Sequence, residues 1–385
     1  MDFSWNEEER GFRGRVQQFL EQYWDSTAGE RAMGDARRFE KQLAEHGWLT
    51  MAWPAAYGGR DATHIEQMIF REEATLHDAP TGGMGPSMIG PCLIVHGTEE
   101  QKKEHLPPIA AGESRWCQGF SEPGSGSDLA SLQTRAVRDG DDWVINGQKI
   151  WTSGAQHASW IHILTRTDPD APKHRGISYF MLDMKTPGIS IRPIEQMHGA
   201  KGFNETFFED VRVPHRNMIG EENRGWYAAT TTLDFERSGA HRAAAVQRAF
   251  DRNFAFARQA DSAGTGHRII DHATSRTAFA DTHIEIEIGR TLGYRVGWMQ
   301  GNGLVPNYEA SMSKAFNSEL TQRQARRAIN MFGLYGGLVA GSARAPLNGA
   351  VGQEYMSTVS STIAAGTSEV QRNIIATRGL GLPRG

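Results

Sequence analysis

The chain has 385 residues, 39% hydrophobic and 22% charged, which is ordinary for a globular protein of two or three domains. A net charge of −4 argues against a nucleic-acid-binding surface, and no apolar run is long enough to span a membrane. The first ten residues are acidic and lack the apolar core of a signal peptide, so we expect a cytoplasmic protein. Two cysteines, Cys92 and Cys117, favour small buried side chains over a disulfide framework or a zinc site.

Residues 1–115 predict an N-terminal α-helical domain with short connections. Ser4 begins a capping-box pattern, and apolar residues follow it at helical spacing. Thr98 and Gln101 form a second capping-box pattern, and we expect Pro107 and Pro108 to stop or kink the helix that follows.

Residues 116–226 differ from this region in composition. Short runs rich in β-branched and aromatic residues are separated by Gly, Pro and Asp, which predicts an all-β domain, a sandwich or a barrel. The predicted strands include 144–147, 160–165, 177–182 and 206–208.

Residues 227–385 predict a C-terminal helical domain. The long helices are expected at 233 to about 260, 270–300 and 308–332, and Thr367 or Ser368 caps a last helix through Arg378. Alternating isoleucines at 284, 286 and 288 imitate a strand, but about thirty residues without a turn signal favour a helix. The fold class is therefore α+β multidomain.

Two stretches of the middle domain suggest chemistry. Gln118–Ser121 reads as a strand end, and the Pro-Gly-Ser-Gly-Ser loop at 123–127 would expose backbone N–H groups that can cradle a phosphate or the polar edge of a heteroaromatic ring. A loop of this composition alone is more often an ordinary turn. The second stretch, Asn146–Gly154, follows about twenty residues later.

In this order and spacing, the two stretches resemble the flavin-binding signatures of the acyl-CoA dehydrogenase family. The resemblance extends over almost the whole chain and implies a helical, β and helical domain order with a C-terminal four-helix bundle. Further matching stretches are 53–59, 96–102, 210–214 and 366–372.

The resemblance implies an FAD enzyme that removes two hydrogens across the Cα–Cβ bond of an acyl-CoA thioester. A carboxylate takes the α proton, flavin N5 takes the β hydride, and an electron-transfer flavoprotein accepts the electrons. The expected assembly is a homotetramer or an α2β2 heterotetramer.

The base is the most informative departure from the family. Most members place a Glu directly before the Gly-Thr of the C-terminal motif, where this chain has Ala365. The isovaleryl- and long-chain-type members place it before an Arg on the first long helix, which matches Glu236 before Arg237. The alternative for Glu236 is a solvated charge paired with an arginine. The same match makes Asp234, Arg237 and Gly239 expected substrate contacts.

The family's flavin contacts carry over position by position. Phe120 and Ser121 match residues at the pyrimidine edge, while Trp151 and Ser153 match the pair that covers one ring face and donates to N5. The alternative for Trp151 is a core aromatic. The remaining cofactor positions are Gln118, Ser127 on the pyrophosphate or CoA side, Arg258, and Thr367 with Glu369 on the ADP part.

The family also holds the thioester carbonyl between a flavin ribityl hydroxyl and a backbone N–H, here that of Ala365. A backbone donor survives the loss of the Glu side chain. The usual Arg-x-x-Phe-Gly after the first long helix is missing, although Arg258 can supply its Arg. This departure affects the half of the FAD site that a neighbouring subunit shares. Some relatives pair two different chains in an α2β2 tetramer with fewer flavins, and this chain could belong to such an assembly.

Two other functions stay open. One is a flavin monooxygenase or N-hydroxylase on the same fold, against which Glu236 argues. The other is a non-catalytic partner subunit, in which Ala365 would reflect loss of activity.

The substrate prediction depends on small side chains. Residues 359–365 contain no aromatic ring, and Gly239 and Ala240 lie one helical turn beyond Glu236. These positions leave room for a ring-bearing or branched acyl group, such as a steroid side-chain thioester, unless another helix fills the space. The expected pathway is fatty-acid or steroid side-chain catabolism.

Overall fold

The computed structural model describes residues 3–24, 33–234, 239–259 and 266–383, with side chains described for all of these except 33–34 and 231–234. The chain divides into two compact units. One contains Met1–Ser26, Thr63–Ala79 and Arg237–Gly385, and the other contains Thr27–Ala62 and Pro80–Glu236. The predicted boundaries at 115/116 and 226/227 stay predictions.

The helices of the N-terminal region follow their capping signals. The first cap is Asn6, which exchanges hydrogen bonds with Glu9, so the prediction of a cap at Ser4 was wrong by two residues. Thr98 and Gln101 form the predicted capping box. The five helices are α1 (Glu7–Tyr23), α2 (Met33–Glu45), α3 (His64–Leu76), α4 (Gly90–His96) and α5 (Glu99–Ala110).

Pro107 and Pro108 do not stop α5, which continues through them to Ala110. Ala111 and Gly112 then close the helix with N–H bonds to Pro107 and Ile109 carbonyls. Of the two outcomes expected for these prolines, a stop or a kink, the stop was wrong.

The middle region forms one hydrogen-bonded sheet of eight strands, which confirms the predicted β domain. The order is β6-β7-β3-β2-β4-β5-β8, and β1 pairs with β4 in parallel. The strands are β1 (Trp116–Gly119), β2 (Arg135–Asp139), β3 (Asp142–Lys149), β4 (Trp160–Arg166), β5 (Ile177–Asp183), β6 (Ile189–Ile194), β7 (Phe203–Pro214) and β8 (Met218–Ile219).

Both faces of the central strands β4 and β5 are buried. Alternate side chains point to opposite faces, so Tyr179 and Met181 join a core with α4 and α5, whereas Phe180 and Leu182 join a second core. The second core unites side chains of β3 and β7 with those of β4 and β5. This is the packing of a sheet folded over onto itself.

The C-terminal region is helical, as predicted. In the first unit α7, α8 and α9 pack together, α3 packs on α7 and α8, and α11 packs on α9. The helices are α6 (Gly225–Asp234), α7 (Ala240–Gln259), α8 (Ala273–Gly301), α9 (Tyr308–Phe332), α10 (Ala350–Ser357) and α11 (Ser368–Ile374).

One predicted helix begins elsewhere. A helix from residue 233 to about 260 was expected, but the described part, α7, begins at Ala240 after Gly239, whose φ is +65°. Positive φ does not fit a right-handed helix, so Gly239 marks a break. The three alternating isoleucines lie in α8, with Ile286 buried and Ile284 and Ile288 exposed, as a helix requires. Within the described ranges, no helix combines the length and apolar character of a membrane span.

Candidate active site

The two stretches of the middle domain meet in the structure. Lys149 at the end of β3 donates from Nζ to the Phe120 carbonyl oxygen over 3.1 Å, and the Ile150 N–H donates to the Ser121 carbonyl oxygen over 2.9 Å. Phe120 and Ser121 of the first stretch are thus joined to the residues directly before Trp151 in the second.

The buried ring of Phe120 packs against a hydrogen-bonded pair, His162 and Tyr179, which the sequence did not reveal. Its ring meets the rings of His162 and Tyr179 edge-on, with centroids 5.6 Å and 5.9 Å away. His162 Nδ1 and the Tyr179 hydroxyl lie 2.6 Å apart, and burial lowers the pKa of His162 to about 3. His162 is therefore a neutral support for Phe120 across the ordinary pH range.

Gln118 has an unused donor. Its Nε2 is buried and, among the described residues, has no hydrogen-bond acceptor. A buried amide donor without an acceptor is costly unless a ligand supplies one. The carbonyl oxygens of a flavin pyrimidine edge are acceptors of the required kind, so Gln118 fits the predicted group.

A buried ion pair holds the first stretch in place. Lys149 is fully buried, and its Nζ lies 2.8 Å from Glu122 Oε1. Glu122 also accepts from the N–H groups of Gln133 and Thr134, over 2.7 Å and 2.8 Å. Burial lowers the pKa of Lys149 to about 8, partly offset by Glu122. For Glu122, burial acts to raise the pKa, but Lys149 and these hydrogen bonds outweigh it and lower the pKa.

Trp151 lies on a turn in the left-handed region, with φ of +61°. Fully buried Asn204 holds this turn through two hydrogen bonds to Thr152. Its side-chain Nδ2 donates to the Thr152 carbonyl oxygen over 2.9 Å, and its backbone carbonyl oxygen accepts from the Thr152 N–H over 3.0 Å. The indole remains 55% exposed and meets Phe203 edge-on. An exposed indole on a strained turn does not fit the core-aromatic alternative, and half-buried Ser153 follows it.

The Ser/Gly loop is open on the surface. Ser127 and the glycines of the loop are exposed, and added Cβ atoms at Gly124 or Gly126 would meet nothing within 4 Å. Buried Ser125 closes the loop by donating to the carbonyl oxygens of Asp128 and Leu129. The loop can therefore admit a ligand beside Ser127.

The C-terminal motif contains a second left-handed turn. Ala365 has φ of +53° and Gly366 has φ of +85°. Ala365 is exposed, and its N–H has no acceptor among the described residues. The backbone donor predicted for a thioester carbonyl is therefore available.

The other predicted cofactor positions of the helical unit are accessible. Thr367 caps α11 by accepting from the Val370 N–H, and Glu369 is exposed in the first turn of that helix. Arg258 is exposed on α7, with its guanidinium 5.9 Å from the Phe254 ring centroid. The rest of that motif would fall within residues 260–265, which lie outside the described residues.

The predicted base lies outside the described residues, as does Arg237. Asp234 ends α6, and its side chain is likewise not described. Gly239 is buried, and neighbouring Ala240 packs on α8. A Cβ added to Gly293 of α8 would lie 2.8 Å from the Ala240 Cα, so the absence of a side chain at Gly293 permits a close helix approach.

The comparisons with known proteins agree with this geometry. Residues 6–113, 117–211 and 223–380 match the N-terminal, middle and C-terminal domains of acyl-CoA dehydrogenase, respectively. The chain belongs to the acyl-CoA dehydrogenase family. It is thus an oxidoreductase of a flavoprotein family, with the predicted fold class.

Among the relatives, acyl-CoA dehydrogenase FadE26 of Mycobacterium tuberculosis is 37% identical over 367 residues, which are 93% of this chain and 91% of that protein. The Tcur3481-Tcur3483 steroid ACAD superimposes with a TM-score of 0.90 at 33% identity, covering 100% of both chains. The ChsE4-ChsE5 complex from Mycobacterium tuberculosis gives a TM-score of 0.90 at 34% identity, also covering 100% of both chains.

Sequence reasoning missed four supporting residues: Glu122, Lys149, Asn204 and Lys314. None belongs to a contact expected for the cofactor, and their side chains act on backbone groups of the motifs. Lys149 lies in the second stretch and Glu122 between the two parts of the first, but charged residues are usually solvated. Only the three-dimensional contacts show that they are buried together.

Proposed function

We propose that the chain is an FAD-dependent acyl-CoA dehydrogenase that converts an acyl-CoA thioester to its α,β-unsaturated product. The observation that carries the proposal is the left-handed turn at Ala365, whose N–H has no acceptor among the described residues and would be free to bind the thioester carbonyl. An N–H donor fixed before the reaction stabilises negative charge that develops on the carbonyl oxygen as the α proton leaves.

FAD, when bound, would supply a hydride acceptor for the β carbon. On this chain Gln118, Phe120 and Ser121 would hold the polar edge of the ring, and Trp151 would cover one face. The unused Gln118 donor and the exposed indole support this assignment. Ser153, Ser127, Arg258, Thr367 and Glu369 are the remaining proposed contacts.

Glu236 is the proposed base, since Ala365 has no titratable side chain. Its carboxylate would take the α proton, and the electron pair of that C–H bond would form the new double bond as the β hydride leaves. The Ala365 N–H would hold the carbonyl oxygen during this step. Asp234, Arg237 and Gly239 are proposed substrate contacts beside the base.

The proposed substrate is a bulky or branched acyl-CoA, with a steroid side-chain thioester as the leading candidate. The ring-free segment before Gly366 and the likeness to a steroid ACAD support it. Ala240 is buried against Gly293 of α8, so its small side chain does not add to the room for such a group. A slim straight-chain acyl group would leave part of such a cavity unfilled.

We also propose assembly as a homotetramer or an α2β2 heterotetramer in the cytoplasm, with an electron-transfer flavoprotein as acceptor. Two of the similar structures carry paired names, Tcur3481-Tcur3483 and ChsE4-ChsE5, which supports the heteromeric form. The missing Phe-Gly after Arg258 also supports the heteromeric form.

A non-catalytic partner subunit is the second candidate. Ala365 in place of the usual Glu favours it, because the substitution removes the base of most family members.

The discriminating experiment is the visible spectrum of the purified protein, produced alone and with a partner chain encoded beside it. A yellow protein that is bleached anaerobically by a branched or cyclic acyl-CoA supports the proposed function. Yellow protein that no acyl-CoA bleaches supports the non-catalytic subunit, and colourless protein in both preparations contradicts FAD binding. If butyryl- or octanoyl-CoA gives a higher kcat/KM than every bulky thioester, the wide-pocket proposal is wrong.

A further inference from the structure

The turn at Ala365 is held from both sides. Before it, the N–H groups of Ile363 and Ala364 donate to the Ser360 carbonyl oxygen, over 3.0 Å and 2.9 Å. After it, Gln371 Nε2 lies 3.4 Å from the Ala365 carbonyl oxygen and 3.3 Å from that of Gly366. The left-handed backbone of a non-glycine residue persists only when its surroundings fix it in this way.

Lys314 makes the shortest contact to this turn. Its Nζ, on α9, donates to the Gly366 carbonyl oxygen over 2.6 Å and approaches the Ser361 carbonyl oxygen at 3.4 Å. Lys314 is only 8% exposed. One ammonium group thus spans the segment on both sides of Ala365.

The surroundings of Lys314 are unusual for a buried lysine. Among the described residues, no carboxylate lies within ion-pair distance of its Nζ, and its hydrogen-bond partners are two neutral carbonyl groups. The charged groups that act on it from nearby elements are Arg242, Glu319 and Glu369. A buried charge without a paired carboxylate is costly, so its retention calls for a role beyond packing.

We propose that Lys314 is a positioning residue, which fixes the Ala365–Gly366 turn so that the Ala365 N–H stays free to bind the substrate carbonyl. Gln371 assists it by donating to the carbonyl oxygens of Ala365 and Gly366. The inference rests on the proposed function, because the free N–H has a catalytic purpose only in that reaction. Lys314 itself touches neither substrate nor flavin in this account.

The test uses the holoprotein and its Lys314→Met variant, which keeps the aliphatic stem and removes the ammonium. Lys103→Met, at an exposed lysine, is the matched control. The first readout is hydrogen exchange of residues 358–367. We expect faster exchange in Lys314→Met than in the control, with an unchanged rate over residues 118–154.

The second readout is the enolisation of a bound 3-oxoacyl-CoA, whose enolate places negative charge on the thioester oxygen. Loss of an aligned donor should raise the apparent pKa of the bound ligand by about one unit or more. The third readout is kinetic: kcat should fall by about 10²-fold with little change in KM, and Lys314→Arg should recover part of it.

The outcomes separate this inference from the proposed function. If the native protein neither bleaches with acyl-CoA nor enolises the ligand, the proposed function fails, while exchange still tests the turn. If Lys314→Met matches the control in exchange and enolisation, the positioning role is wrong. Should that variant not fold, Gln371→Met provides the same three readouts, and unchanged values in it also overturn the inference.

Discussion

Two buried lysines lie beside two left-handed turns of the described chain, those of Trp151 and Ala365, and the partners of the two lysines differ. Lys149 lies two residues before Trp151 and pairs with the Glu122 carboxylate. Lys314 contacts the turn of Ala365 and pairs only with carbonyl oxygens among the described residues. Burial is the main cause that lowers the pKa of each to about 8.

The turns themselves are exceptional in the described chain. Apart from Asp, Asn and Gly, only Trp151, Leu347 and Ala365 have positive φ among the described residues. A left-handed non-glycine residue costs about 1–2 kcal/mol, and two of the three occupy positions proposed to touch the flavin or the substrate. Strain at both positions agrees with function, because such conformations concentrate at binding sites.

Because their partners differ, we expect Lys149 to matter mainly for the stability of the fold and Lys314 mainly for the reaction. Removing Lys149 leaves a carboxylate buried without its cation, whereas removing Lys314 leaves carbonyl groups with fewer donors. The first change should damage the fold, and the second should mainly damage the geometry of one N–H group.

The largest expected effect is that of Lys149→Met. It should lower the free energy of unfolding by about 3–5 kcal/mol, because Glu122 then loses its partner in the interior. Chemical denaturation at pH 7 measures this change, with Lys103→Met as the control. A double variant that adds Glu122→Gln should recover part of the loss. No recovery would show that packing of the lysine stem, not the charge pair, dominates.

The pH dependence of stability should show Lys149 directly. Its pKa is lowered from 10.5 to about 8 in the folded protein, so the unfolded chain binds more protons between these values. Stability therefore rises with pH across this window, by at most about 1.4 kcal/mol per pH unit from this group. The stability gap between the native protein and Lys149→Met should accordingly widen between pH 8 and pH 10. A constant gap would contradict the lowered pKa.

Lys314→Met should cost less, about 1–2 kcal/mol, the scale of hydrogen bonds from a charged donor. If the two lysines differ as described, Lys314→Met loses less stability than Lys149→Met but shows a large loss of kcat. Equal losses of stability in the two variants would remove the distinction between the lysines.

The smallest effect is expected for Ala365→Gly. Glycine adopts positive φ without strain but has more freedom in the unfolded chain, so the two effects partly cancel. We expect a change in stability of less than about 1 kcal/mol and a slower reaction from a looser N–H. A stabilisation well above that value would mean that the strain at Ala365 is larger than its surroundings suggest.

The long helices could be predicted because their apolar period persists over many residues. The predicted helix 308–332 coincides with α9, and the cap at Thr367 is confirmed. The break before Ala240 was missed, because Gly239 sits within a helical pattern and its positive φ depends on tertiary packing. Ser4 and Asn6 are both good N-cap residues, so their order was open to error.

Residues of the proposed site could be named from the sequence where family motifs occur, whereas the distant residues that support them could not. Phe120, Ser121 and Trp151 lie in quoted stretches, and the structure joins those stretches. Lys314 is 51 residues before Ala365 in a helix that reads as an ordinary charged surface. Contacts of this kind depend on how helices pack, which a local pattern does not encode.

The central claim is that Glu236 takes the α proton while the Ala365 backbone binds the carbonyl. Its most direct test is the single-turnover rate of flavin reduction in Glu236→Gln, with Glu222→Gln as an exposed-carboxylate control. The account predicts normal flavin content, a rate lower by roughly 10²-fold or more, and an unchanged control. Flavin reduction at the native rate in Glu236→Gln would contradict the account.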